Sequence, residues 1–185
     1  MPCSELSLVL KGELLERLKA LGIPASKHCL VVSIDQQKLW YFAENAVHAY
    51  KVSTARAGRG CIKDSLQTPL GVLRVAEKHG SGALPGMVFK ARQPTGEVWQ
   101  RGKPQPDNLI TSRILWLEGM ESGVNAGEDD QGRVVDTKSR FIYIHGTNQE
   151  EKLGQPNSHG CVLLSDADVI ELYERVPLGT FVYIA

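Results

Sequence analysis

The chain has 185 residues, 21 Lys+Arg against 21 Asp+Glu, and 42% apolar residues with 18 glycines. A chain of this length suits one ordinary domain that buries about 70% of its extended surface, so it needs neither disulfides nor metal to fold. Zero formal charge argues against nucleic acid and anionic membrane surfaces as partners, and the longest apolar runs, about five residues, are too short for a membrane-spanning helix.

At the N-terminus, Leu6 to Leu10 is broken by Ser7 and closed by Lys11, and Glu13, Glu16, Arg17 and Lys19 follow. No export leader is expected from this stretch. Cys3 lies too near the start to follow a lipoprotein leader. The expected compartment is the cytoplasm, or the periplasm if the chain has been trimmed. Leu14, Leu15, Leu18 and Leu21 form a helical stripe ended by Gly22 and Pro24, with Gly12 blurring its start. Residues 1–27 are thus expected to be a helical appendage to a main domain over residues 28–185.

From Lys27 onward the sequence predicts short strands. Leu30 to Ile34 and Leu39 to Phe42 flank a turn at Asp35-Gln36-Gln37. Val47 to Val52, Val72 to Val75, Met87 to Ala91, Ile114 to Leu117, Phe141 to Ile144 and Phe181 to Ile184 follow. Many short strands with Gly/Pro turns predict a β-rich sandwich or barrel. Between Lys78 and Lys138 a glycine-rich stretch reads as a long lid, a binding loop or disorder. Arg92, Arg101, Lys103 and Arg113 flank it, with solvated surface charge as the plain reading for each. Ser165 to Asp168 is a capping box opening a late helix that Pro177 and Gly179 end.

Four cysteines, Cys3, Cys29, Cys61 and Cys161, contain no C-x-x-C pair, so no zinc ribbon or thioredoxin motif is indicated. They are expected to stay reduced, with Cys29 a small buried hydrophobe.

Chemistry concentrates in residues 141–164. An apolar strand delivers His145, and Ser158-His159-Gly160-Cys161 follows thirteen residues later. A thiolate attacks a carbonyl well, and a nearby imidazole lowers its pKa and shuttles the proton. Gly160 frees the backbone so that the N–H groups of Gly160 and Cys161 can face an oxyanion. Two other arrangements stay open on these residues alone. His145, His159 and Cys161 are three potential zinc ligands, or Cys161 is a packed core thiol with satisfied histidines beside it.

His145-Gly146-Thr147-Asn148 and Leu153 to Val162, with Ser158-His159-Gly160-Cys161 at their centre, resemble the signature of the L,D-transpeptidase catalytic domain, or YkuD domain. The Val31 to Tyr41 strand pair, Thr68-Pro69-Leu70-Gly71 and Leu178 to Val182 extend the likeness over roughly residues 28–185. The resemblance implies a mixed β-sandwich with the cysteine in a pocket under a lid, and no metal or organic cofactor. It implies Cys161 as nucleophile and His145 as base, with the Gly146 carbonyl orienting the imidazole. Ser158 and His159 would shape the pocket, and Gly160 and Cys161 would supply oxyanion N–H groups.

The implied substrate is a peptidoglycan stem peptide or muropeptide, attacked between the third residue, diaminopimelate, and the terminal D-alanine. Leu163 stands where many members carry arginine, which touches substrate detail or acceptor choice. Hydrolysis by an L,D-carboxypeptidase of muropeptide recycling is the expected outcome. Cross-linking by an L,D-transpeptidase is the alternative, and a non-catalytic stem-binding module the third reading. The oligomeric state stays open.

Overall fold

The computed structural model describes residues 4–103 and 107–185, and Cys3 lies outside the described residues. The first helix, α1, spans Glu5–Ala20. Ser4 caps it, its Oγ accepting from Ser7 N at 3.2 Å. The helix therefore runs back through Gly12, which costs about 1 kcal/mol relative to alanine, and its contact stripe shifts accordingly. Ser7, Leu10, Leu14 and Leu18 are buried, spaced by three, four and four residues on one face, whereas Leu15 and Leu21 are 37% and 40% exposed. Leu10, Leu14 and Leu18 pack on Cys29, Val31, Trp40, Phe42, Val72 and Tyr183. Arg17 adds an ion pair to Glu121 at 2.7 Å.

Among the described residues ten strands follow: β1 (Cys29–Ser33), β2 (Lys38–Phe42), β3 (Val47–Lys51), β4 (Gly71–His79), β5 (Met87–Lys90), β6 (Gln93–Val98), β7 (Ile110–Gly119), β8 (Tyr143–Gly146), β9 (Val162–Leu164) and β10 (Phe181–Ile184). They form one mixed sheet in the order β3-β2-β1-β10-β4-β7-β5-β6, with β8 and β9 branching from β7. The β1–β10 and β8–β9 pairs are parallel.

The branch folds the sheet over its own core. Leu30, Leu39 and Tyr41 on one arm share a cluster with Ile144, Val162 and Leu164 on the other. The second helix, α2 (Asp166–Arg175), closes that core with Val169, Leu172 and Tyr173. Ser165 Oγ caps it by accepting from Asp168 N at 3.1 Å.

The glycine-rich stretch from 78 to 138 is not one long loop. It holds the end of β4, the β5–β6 hairpin and all of β7. The physical reason is that Gly80 and Gly86, at φ 99° and 79°, turn the chain between strands instead of dissolving them. Arg113 also departs from expectation. It is only 5% exposed, donating to the carbonyls of Ala83 and Ser112 at 2.9 and 2.8 Å.

Candidate active site

Strand alternation places the two central residues. In β8 and its entry, Ile142 and Ile144 face the main core with Val162 and Leu164 of β9. Successive side chains point to opposite faces, so Tyr143 and His145 share the other face with Cys161 and Leu163. The parallel register pairs Ile144 with Val162 and His145 with Leu163. Cys161 therefore lies one residue before β9, beside Tyr143, with its Sγ 3.4 Å from Tyr143 N. Cys161 and His145 thus lie diagonally on one face of adjacent parallel segments.

His145 is 3% exposed, and its Nδ1 lies 2.8 Å from the Gly146 carbonyl. A carbonyl only accepts, so Nδ1 carries the hydrogen and Nε2 keeps its lone pair for an incoming proton. Burial pushes the imidazole pKa down to about 4, with the Gly146 bond opposing. Burial also pushes the Cys161 thiol up to about 11, against the pull of Tyr143 N–H and the Arg140 guanidinium. The resting pair is therefore a neutral thiol and a neutral imidazole. This corrects the expectation of a thiolate already enriched by its imidazole partner: desolvation disfavours the charged form of each group.

The turn before Cys161 is braced internally. Ser158 Oγ donates to the Cys161 carbonyl at 2.6 Å and accepts from Gly160 N at 3.1 Å. The Gly160 N–H is thereby bonded to Ser158 in the resting site. Gly160 has φ 131°, and a Cβ there would stand 2.9 Å from Ile142 Cδ1. Its carbonyl accepts from Thr68 Oγ1 at 3.0 Å, which ties Thr68-Pro69-Leu70-Gly71 to the site. His159 is exposed and lines a cleft beside Cys161. Among the described residues no group of three or more His, Cys, Asp or Glu is placed to hold a metal ion, so the zinc reading of His145, His159 and Cys161 finds no ligand set.

Behind His145 the structure adds residues that sequence reading missed. The β7–β8 register shifts between Thr111 and Ile114, opposite Gly146 and His145. Ser112 in this bulge is at φ 60°, a strained value of the kind found beside functional sites. Thr111 Oγ1 and Ser112 Oγ both donate to Asp166 Oδ1, at 2.6 and 2.5 Å. A Cβ on Gly146 would meet Asp166 Oδ1, Thr111 O and Thr111 Oγ1 at 2.7, 2.7 and 2.8 Å. Asp166 and Thr111 thus crowd the Gly146 Cα, next to the carbonyl that orients His145. Thr147 and Asn148 anchor the lead into β7: Thr147 Oγ1 donates to Asn108 Oδ1 at 2.7 Å, and Asn148 Oδ1 accepts from Leu109 N at 2.7 Å.

Arg92 lies over the Trp116 ring at 4.3 Å and donates to Tyr143 OH at 3.0 Å, which joins the β5–β6 hairpin to the face carrying Cys161. Arg101 pairs with Glu150 at 3.4 Å away from this face. Arg140, also missed, donates to the carbonyls of Gly60, Cys61 and Gln67 at 3.2, 2.9 and 2.6 Å. No periodicity marks these arginines, because their partners are backbone carbonyls and rings distant in sequence.

The L,D-transpeptidase catalytic domain family, YkuD, matches residues 27–184. The chain is 41% identical over 173 residues to "Probable L,D-transpeptidase YbiS" of Escherichia coli, covering 91% of this chain and 48% of that protein. It is 28% identical over 158 residues to E. coli "Probable L,D-transpeptidase ErfK/SrfK", covering 84% and 43%. The chain thus spans about half the length, or less, of these curated relatives. Among solved structures, an L,D-transpeptidase from Mycobacterium smegmatis superposes with TM-score 0.50 at 18% identity, over 88% of this chain and 60% of that one. An Enterococcus faecium L,D-transpeptidase gives TM-score 0.50 at 16%, over 86% and 50%. At these identities the structures show a shared fold.

Proposed function

Because the chain belongs to the L,D-transpeptidase catalytic domain family, we propose that it is a cysteine acyl-transfer enzyme acting on peptidoglycan stem peptides, cutting between diaminopimelate and the terminal D-alanine. The observation that carries this is the shared face of Cys161 and His145, with Nδ1 of the imidazole held by the Gly146 carbonyl. In the proposed reaction Cys161 Sγ attacks the scissile carbonyl while His145 Nε2 takes its proton. The Cys161 N–H is the candidate donor to the oxyanion. Collapse breaks the C–N bond, His145 returns the proton to the departing amine, and a thioester remains on Cys161. Water, activated by the same imidazole, releases the acid and restores the thiol.

Hydrolysis is the favoured fate. The cleft beside Cys161 measures about 190 Å³, below the ~300 Å³ at which pockets begin to enclose sizeable ligands. That space suits a short chain end better than a second stem, and an acceptor that is not held gains nothing from proximity. Leu163, fully buried beside His145, offers an acceptor no charge. This reading is an L,D-carboxypeptidase of muropeptide recycling, which places it with soluble muropeptides in the cytoplasm. The second reading, cross-linking, is favoured by the names of the relatives.

Mass spectrometry of a purified tetrapeptide muropeptide, incubated with and without an acceptor stem, tests the proposal. The expected products are tripeptide and free D-alanine in both arms. Dimer formation at modest acceptor concentration would establish cross-linking instead. Binding without turnover would leave only a stem-binding module. Cys161→Ala is expected to abolish turnover, since loss of a nucleophile costs roughly 10⁴–10⁶ in rate.

A further inference from the structure

The cleft beside Cys161 carries an uneven charge. It is lined by Lys63, Asp64, Arg140, Phe141 and His159, among others. Phe141 joins it to the nucleophile, its carbonyl oxygen lying 3.6 Å from Cys161 Sγ. Arg140 is not a loose surface cation. Its guanidinium spends three of five N–H donors on the Gly60, Cys61 and Gln67 carbonyls, which leaves two in a fixed plane. The wall it holds is rigid as well, with Asp64 and Leu66 at φ 63° and 58°. Such values persist only where surrounding bonds enforce them.

We propose that Arg140 and Lys63 form a carboxylate subsite that holds the free C-terminal carboxylate of the residue leaving Cys161, making the enzyme selective for chain ends over internal bonds. This rests on the reaction proposed above. A planar guanidinium fixed before binding suits a carboxylate, because its orientation entropy is already lost. Lys63 adds a mobile second charge. A cleft of about 190 Å³ has room for a terminal residue. Asp64 completes the pattern: once the C–N bond breaks, the departing residue becomes a zwitterion, whose new ammonium is complementary to that carboxylate.

The test is calorimetric binding to the full chain carrying Cys161→Ala, comparing a tetrapeptide stem with its C-terminal carboxamide. The acid is expected to bind about tenfold or more tighter, the scale of one charge-assisted hydrogen bond. Lys63→Gln, at an exposed position, is expected to shrink that ratio severalfold, and so is Arg140→Lys, which keeps the charge and loses the fork. Equal affinity for acid and amide overturns the subsite, as does failure to bind either. Binding is read without turnover, so the two proposals fail separately. Selective binding of the acid by a protein whose wild type cleaves no stem would overturn the reaction and keep the subsite. Cleavage of acid and amide with equal kcat/KM would do the reverse.

Discussion

Cys161 and His145 show how burial sets the working state of a pair. With the thiol pushed up to about 11 and the imidazole down to about 4, the resting site is uncharged across the neutral range. In the proposed reaction, proton transfer then accompanies attack. Alkylation of Cys161 by iodoacetamide should accordingly be slow at pH 7 and climb steeply between pH 8 and 10, followed by intact mass and peptide mapping; a pH-independent fast rate would mean a standing thiolate. The glycine after His145 matters as much. Gly146→Ala would force its Cβ against Asp166 Oδ1 and Thr111, displacing the carbonyl that holds Nδ1. A loss of about 10²-fold or more in kcat is expected, with KM changed far less, because the ring and not the cleft is disturbed. Steady-state kinetics on the tetrapeptide reads the split. The Gly146 bond to His145 was implied by the family resemblance, which the contiguous His-Gly-Thr-Asn and Ser-His-Gly-Cys motifs carry. The Ser112–Asp166 clamp was not, since it joins residues 54 apart that look ordinary in their own segments.

Elements are legible where one stretch carries its own signals. The β1–β2 hairpin, β10 and α2 lie close to their predicted positions, each marked by an apolar run and a turn or cap. β6, whose sequence is QPTGEV, shows no apolar run. It exists because β5 pairs with it, and no local rule predicts that. The α1 stripe was misplaced for a related reason: Gly12 left the start of the helix open, and the cap at Ser4 and the packing of Leu10, Leu14 and Leu18 carry it back past that residue. The helix is thus held by tertiary burial more than by propensity. Leu14, with no exposed surface, lies mid-row between Leu10 and Leu18. Leu14→Ala should cost about 2–5 kcal/mol, and the exposed Leu8→Ala under about 0.5 kcal/mol. Urea denaturation of the two variants checks the contrast; equal losses would mean that α1 does not pack through this row.

At the scale of the molecule, the site depends on strands far apart in sequence. β8 is clasped between β7 and β9, and β1 pairs with β10 across nearly the whole chain. Pairings of this kind leave no local trace, so the sequence indicated a β-rich fold without its branch at β7. Packing His145 inside that branch ties global stability to pH. In the unfolded chain a histidine titrates near 6.5, whereas folded His145 titrates near 4. Between these values the unfolded state binds more protons, so stability falls as pH drops from about 6.5 toward 4 and levels off below. The loss from this one residue is about 2–3 kcal/mol by pH 4.5. Asp136 and Glu77, whose pKa values are lowered in the folded state, also lose stability on acidification, but lower, below the ordinary carboxylate range. His145→Gln removes the titration and retains a polar side chain. Urea midpoints for both proteins at pH 7 and pH 4.5 should show the wild type losing about 2–3 kcal/mol more than the variant. Parallel losses would mean that His145 is solvated enough to take up a proton in place, and the neutral-pair mechanism would fall with that result.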